Sequence, residues 1–110
     1  MRPRFLLLAA AALLCLPGVA GAENYPDRPI RLVVPTGTGG AADIISRMIA
    51  EKLQTSLGQP VVVEDRPGAN GIVGATYVLS APADGYMLMM GHIGLMTINN
   101  HIYKDVKFAR

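Results

Sequence analysis

The sequence predicts an α/β fold, a three-layer βαβαβ unit in which helices cover a parallel sheet. Three short runs of β-branched and apolar residues, at 30–34, 61–64 and 86–90, alternate with two stretches of helical pattern. The first run, IRLVV, is apolar apart from Arg31, as expected of a strand covered on both faces. Short connections between alternating strands and helices favour a parallel sheet with right-handed crossovers.

Taken in order, residues 23–29 (ENYPDRP) form a polar lead-in that Pro26 and Pro29 keep extended. Strand 30–34 stops at Pro35 and gives way to Thr36, Gly37, Thr38, Gly39 and Gly40. The helix that follows places Ile44, Ile45, Met48, Ile49, Leu53 and Leu57 on one stripe, which predicts a face buried on the sheet. Arg47, Glu51, Lys52 and Gln54 take the opposite face, and Gly58 supplies the stop. Pro60 opens the second strand, and residues 65–68 make a turn. A weaker helix over 70–80 has Ile72, Ala75, Thr76 and Leu79 as its buried stripe, with Gly71 and Gly74 allowing close packing. The third strand, 86–90, runs into a loop of Gly91, His92, Ile93 and Gly94, and a short helical stretch spans 95–99. The methionines outside the third strand read as core fillers.

The N-terminus stands apart. Arg2 and Arg4 precede an apolar run over 5–16, and Ala20, Gly21 and Ala22 form a small-residue cleavage site. Residues 1–22 therefore read as a secretory signal peptide, since twelve or so apolar residues are too few to span a bilayer. Without them, eight basic residues face eight acidic ones, and no basic patch with interleaved aromatics points to nucleic acid. Cys15 lies in this segment, so residues 23–110 hold no thiol for a disulfide or a thiolate metal site. His92 and His101, without carboxylates at ligand spacing, make no metal site either.

The functional signal is the strand, glycine loop and helix over 30–57. Glycines let a bound group approach the main chain, and the first four N–H groups of a helix lack partners inside it. Donors and the positive helix end meeting at one spot make an anion site. Candidate ligand contacts are Thr36, Gly37, Thr38, Gly39, Gly40 and Ala41. Asp43 would repel a carboxylate and reads as a helix cap. Asn70 either caps the second helix or reaches the cleft. If the first strand lies between the other two, His92 and Ile93 stand opposite the first loop, and His92 reads as a ligand donor or as an ordinary loop residue.

A competing enzyme reading rests on Gly37-Thr38-Gly39-Gly40-Ala41-Ala42, which matches G-x-G-x-x-A, with Glu64 and Asp65 where a ribose-binding acid would sit. Pro35 and the export signal oppose it. No serine elbow, Cys-His pair or carboxylate pair suggests a hydrolase, so no catalytic residue and no cofactor is assigned. A small self-standing exported interaction domain is a third reading.

Several stretches together carry a family resemblance: YPDRPIRLVVP, the GG loop followed by A-A-D, LGQPVVVEDRPGANGIVGA, the A-P-A-D-G-Y turn and N-N-H-I-Y-K. From about Tyr25 to about Phe108 the chain resembles the extracytoplasmic receptors of tripartite tricarboxylate transporters, the Bug family. The resemblance implies a periplasmic solute-binding protein of the two-lobed type II kind, which captures small organic carboxylates and presents them to membrane permease subunits without chemistry. It also implies that residues 23–110 are the N-terminal part of the first lobe, the remainder of that lobe and the second being absent. Many members carry an aromatic residue and further prolines or glycines where this chain has Thr36, Gly37 and Thr38.

Overall fold

The computed structural model describes residues 24–104; the segment read as a signal peptide lies outside the described residues. Three parallel strands form one sheet in the order β2-β1-β3, with β1 (Ile30–Val34) in the centre, β2 (Val61–Asp65) on one side and β3 (Met87–Met89) on the other. The register pairs Leu32 with Val63 on β2 and with Leu88 on β3. Helix α1 (Ala41–Leu57) links β1 to β2, and α2 (Ile72–Leu79), preceded by a 3-10 turn at Ala69–Gly71, links β2 to β3. After β3 a π-helical segment (Gly94–Ile98) runs into the short α3 (Asn99–Ile102).

Alternation along β1 sorts the two faces. Ile30 and Leu32 join Val61, Ala50 and the partly buried Leu53 and Val63 in one cluster under α1. Arg31 points the other way, where its guanidinium reaches the Tyr77 hydroxyl on α2. The two helices therefore lie on opposite faces, giving the three layers that the βαβαβ pattern predicts. The lead-in is tied to the end of the sheet: the Tyr25 hydroxyl donates to the Gly85 carbonyl at 2.5 Å, and the Asp27 amide donates to the Tyr86 hydroxyl at 2.9 Å. Strand β3 is two residues shorter than its apolar run, although Arg31 N to Tyr86 O and Met90 N to Val33 O, both 2.9 Å, prolong the ladder at either end.

The main departure from the sequence pattern concerns α1. Its buried residues are Asp43, Ser46 and Ala50. The predicted stripe faces outward instead: Ile44, Ile45, Met48, Ile49 and Leu57 are all exposed, Met48 by 64%, and only Leu53 joins the core. The physical reason is size, because a row of small side chains lets the helix axis settle close to the sheet, and the bulky row then lies off to the side. Ile45, Met48, Ile49 and Leu53 line an apolar hollow of about 560 Å³ there. On α2 the buried residues are Gly74 and Ala75, whereas Thr76 and Leu79 are exposed. Met48 and Met96 are likewise exposed rather than core fillers.

Close packing is tightest at Gly74. A Cβ there would lie 2.9 Å from Pro35 Cβ and 2.9 Å from the Arg66 carbonyl oxygen. Gly74→Ala is expected to destabilise the chain by about 1–3 kcal/mol through overpacking, as read by urea titration. Met48→Gln, on the exposed stripe, should stay within about 0.5 kcal/mol of the parent in the same titrations.

Candidate functional site

The order β2-β1-β3 brings three loops to one edge of the sheet: residues 35–40 after β1, 66–71 after β2 and 90–93 after β3. The chain leaves β1 for β2 and returns to the far side of β1, so the strand order reverses at β1. In open parallel sheets that reversal leaves a crevice outside the carboxyl ends of the strands.

The first loop is held from behind. Gly39 takes φ +82°, a left-handed setting that glycine adopts without strain. Its amide donates to Asp43 Oδ2 at 2.7 Å, and the Gly40 amide donates to the Gly37 carbonyl at 3.3 Å. Thr38 donates its hydroxyl to Asp65 Oδ2 at 2.8 Å. Arg47 closes the network: its Nε stands 2.7 Å from Asp43 Oδ1, and a terminal nitrogen 3.2 Å from Asp65 Oδ2. The first of these is an ion contact without the alignment of a hydrogen bond. Asp43, only 3% exposed, thus sits between a helix N-terminus, a loop amide and a guanidinium.

These bonds correct part of the sequence reading. The Thr38 hydroxyl and the amides of Gly39 and Gly40 are no free donors, because each is taken within the chain. The Thr36 hydroxyl oxygen is buried and without a partner. The first turn of α1 keeps free donors. Its N-cap, Gly40, has no side chain to offer, and Asp43 turns back to the loop rather than onto the helix amides. Among the described residues, the amides of Ala41, Ala42 and Asp43 find no acceptor in the chain, the first helical bond running from the Ile44 amide to the Gly40 carbonyl at 3.0 Å.

The second and third loops leave the same end of the sheet. Asn70 does not cap α2: it sits inside the 3-10 turn at φ +52°, while Gly71 takes the N-cap position with no side-chain bond. His92 accepts at Nδ1 from the Leu95 amide at 3.4 Å, which assigns the proton of a neutral ring to Nε2. That Nε2 is buried without an acceptor and turned towards Gly71, where a Cβ would come within 3.1 Å of it. Ile93 is 75% exposed and stands free at the rim. Asn99 is fully buried and exchanges two hydrogen bonds with Asn70.

Sequence reasoning missed Asn99 and the Arg47–Asp65 pair; Ala42 lies within the stretch from Thr36 to Asp43 read as amide donors, although it was not singled out. Ala42 follows from the rule that the first helical amides are unpaired. Asn99 gave no signal, because its partner is remote in sequence and nothing local marks it for burial.

Glu64 and Asp65, the candidate ribose acids, are both engaged. Asp65 serves Thr38 and Arg47. Glu64 accepts from Arg31 Nε at 3.0 Å and Arg66 Nε at 2.7 Å, and the Arg66 guanidinium lies 4.1 Å from the centre of the Tyr77 ring. Burial pushes the Glu64 carboxyl up, but the hydrogen bonds and charges of Arg66 and Arg31 together outweigh it and hold the group below the ordinary value of 4.5. Among the described residues no cluster of His, Cys, Asp or Glu could hold a metal ion, and no helix is long and apolar enough to cross a membrane.

Comparison with known proteins gives a consistent picture. The family described as tripartite tricarboxylate transporter family receptor matches residues 45–110. A protein of the UPF0065 group from Bordetella pertussis is 42% identical over 110 residues, covering 98% of this chain and 34% of its own length. The malate-bound structure of MatC from Rhodopseudomonas palustris superposes with a TM-score of 0.72 at 33% identity, over 76% of this chain and 29% of that one. A structure of a second R. palustris protein, with adipate, superposes with a TM-score of 0.63 at 41% identity, over 64% of this chain and 24% of that one. The chain thus spans about a third of the length of the curated relatives it matches.

Two outcomes follow for the residues behind the loop. Asp43→Ala should cost about 2 kcal/mol, the scale of a charge-assisted buried hydrogen bond, and should speed hydrogen exchange at the Gly39 amide more than in the strands. The folded-state value of Glu64 lies below its unfolded one, so its contribution is whole above about pH 4.5 and is lost as pH falls through the folded value. Urea unfolding should therefore find Glu64→Gln less stable than the parent at pH 7, with the gap closing in acid.

Proposed function

The chain belongs to the tripartite tricarboxylate transporter receptor family, and we propose that it forms the N-terminal part of one lobe of a periplasmic receptor for a small organic carboxylate. In this reading residues 1–22 direct export, residues 23–110 build one wall of the cleft, and a loaded receptor hands its ligand to membrane permease subunits. Binding, not chemistry, is the task, as in the receptors of this family. The exposed stripe of α1 and, among the described residues, the unpaired outer edges of β2 and β3 supply surfaces on which further structure would pack.

The observation that carries the proposal is the pair of unaccepted amides at Ala41 and Ala42, at the positive end of a 17-residue helix and at the strand-order reversal. A carboxylate oxygen placed there receives two N–H donors that are already oriented, with Gly37 leaving the approach open because nothing stands within 4 Å of a Cβ at that position. Thr36 to Gly40 shape the floor. Asn70, His92 and Ile93 form the opposite wall, with the exposed Ile93 available to the apolar part of a ligand such as the adipate in the R. palustris structure. A single wall cannot exclude water from the ligand, so affinity of this chain by itself belongs in the millimolar range.

The test is a 1H–15N titration of the 110-residue chain with malate and adipate at fixed ionic strength, with chloride as control. Saturable shifts at Ala41 and Ala42 are expected with the dicarboxylates alone. Ala41→Pro isolates the donor: proline is accepted at the first helical position, and Gly40, with φ −74° and ψ 169°, already has the extended backbone that precedes proline. That variant should keep the parent's stability and bind about tenfold more weakly. Equal binding by Ala41→Pro, or no saturable shift at these amides in the parent, would overturn the assignment.

A further inference from the structure

The cleft wall opposite α1 contains a lock that the anion site does not itself explain. Asn99, the first residue of α3, is 0% exposed although polar. Its carboxamide is used at both ends against the same residue: Asn70 Nδ2 donates to Asn99 Oδ1 at 2.7 Å, and Asn99 Nδ2 donates to the Asn70 carbonyl at 3.0 Å. A buried carboxamide left without partners is costly, so this reciprocal pair strongly favours one arrangement of the two segments.

The arrangement it favours is a strained one. Ala69 and Asn70 both take positive φ, +46° and +52°, and Gly71 follows at +93°. Asn tolerates the left-handed region, so the cost falls chiefly on Ala69, whose side chain has no such preference and holds the angle where the surroundings impose it. The turn so held presents Gly71 to the His92 ring, and Gly94 fits between Asn70 and His92: a Cβ on Gly94 would lie 3.0 Å from Asn70 Nδ2 and 3.0 Å from His92 Cε1. Asn70, Gly71, His92 and Gly94 therefore interlock, and Asn99 is the side chain that is both fully buried and bonded in both directions to the turn.

We propose that Asn99 is a positioning residue of the cleft: it locks the loop after β2 to the helical segment after β3, making one rigid wall that faces the N-terminus of α1. The proposal rests on the anion-binding reading above for what the wall is for, but not for the lock itself. Loss of the lock frees the Ala69–Gly71 turn to relax to ordinary angles, which withdraws Gly71 from His92 and blurs the wall that a bound carboxylate would meet.

Two variants of the 110-residue chain test it, read by amide hydrogen exchange and by titration with adipate. Asn99→Ala removes both bonds. Asn70→Gly removes only the Asn70 Nδ2 bond and accepts the left-handed backbone without strain, so it keeps the test alive if the first variant does not fold. Both should speed exchange at the Gly71 and Leu95 amides about tenfold, leave the β1 and β2 amides unchanged, and raise the adipate concentration needed to shift Ala41 and Ala42 severalfold. Faster exchange spread evenly over the chain would assign Asn99 to general stability and overturn the proposal, as would unchanged exchange at Gly71 and Leu95. A parent that shows local locking by exchange but no adipate shifts would instead overturn the carboxylate reading, and with it the role of the wall in binding, while the lock stands.

Discussion

The carboxylate of Asp43 is the group on which the rest of the site depends. It is the third residue of α1, almost wholly buried, and it reaches backwards to the Gly39 amide rather than inwards to its own helix. A charge buried to that degree is tolerable only when hydrogen-bonded and paired. Here the helix N-terminus, the loop amide and Arg47 share the work. The consequence is geometric. By holding the glycine loop at Gly39, Asp43 sets where the chain enters the helix, and the amides of Ala41 and Ala42 are left unbonded at that entry.

The same residue also decides how α1 lies on the sheet. Asp43, Ser46 and Ala50 form the helix face that meets β1 and β2, and none of them is bulky. Such a face brings the helix close but buries little apolar area, so the layer on that side of the sheet draws its core from Ile30, Leu32 and Val61 below more than from the helix above. The large side chains of α1 are left beside the contact rather than in it. Polar fixing of the loop and apolar packing of the helix are therefore served by different faces of one element, and the apolar face is free to receive further structure.

This division marks the limit of what could be read from the residues. The parallel sheet and the C-terminal stop of α1 followed from glycine, proline and the alternation of strand and helix patterns, whereas the central place of β1, on which the convergence of the loops depends, entered only as a condition. Periodicity shows which residues share a face, but not which face a small neighbouring row will draw onto the sheet, so Ile45 and Met48 pointed the wrong way. The donors of the first loop were misjudged for a related reason. Thr38 is an open donor in sequence, and only the pairing of β1 with β2 brings Asp65 beside it. Asn99 was invisible because its meaning lies in a turn on another loop, reached only once β3 has placed the two side by side.

The charges around the cleft complete the physical picture. Arg47 is held between Asp43 and Asp65, and Arg31 and Arg66 are held by Glu64 on the far face of the sheet, so none of these guanidiniums is available to neutralise a ligand at α1. The network behind the loop carries two carboxylates against one guanidinium, and an incoming anion meets that excess negative charge as well as the helix dipole. Oriented amides can outweigh it only at hydrogen-bond distance, because dipoles act over short range and are screened by water. Recognition on this wall must therefore be local and geometric, favouring a carboxylate seated squarely on Ala41 and Ala42 over one merely attracted from solution. That is why the rigidity of the opposing wall matters, and why water exclusion, more than added positive charge, is what such a site requires to bind tightly.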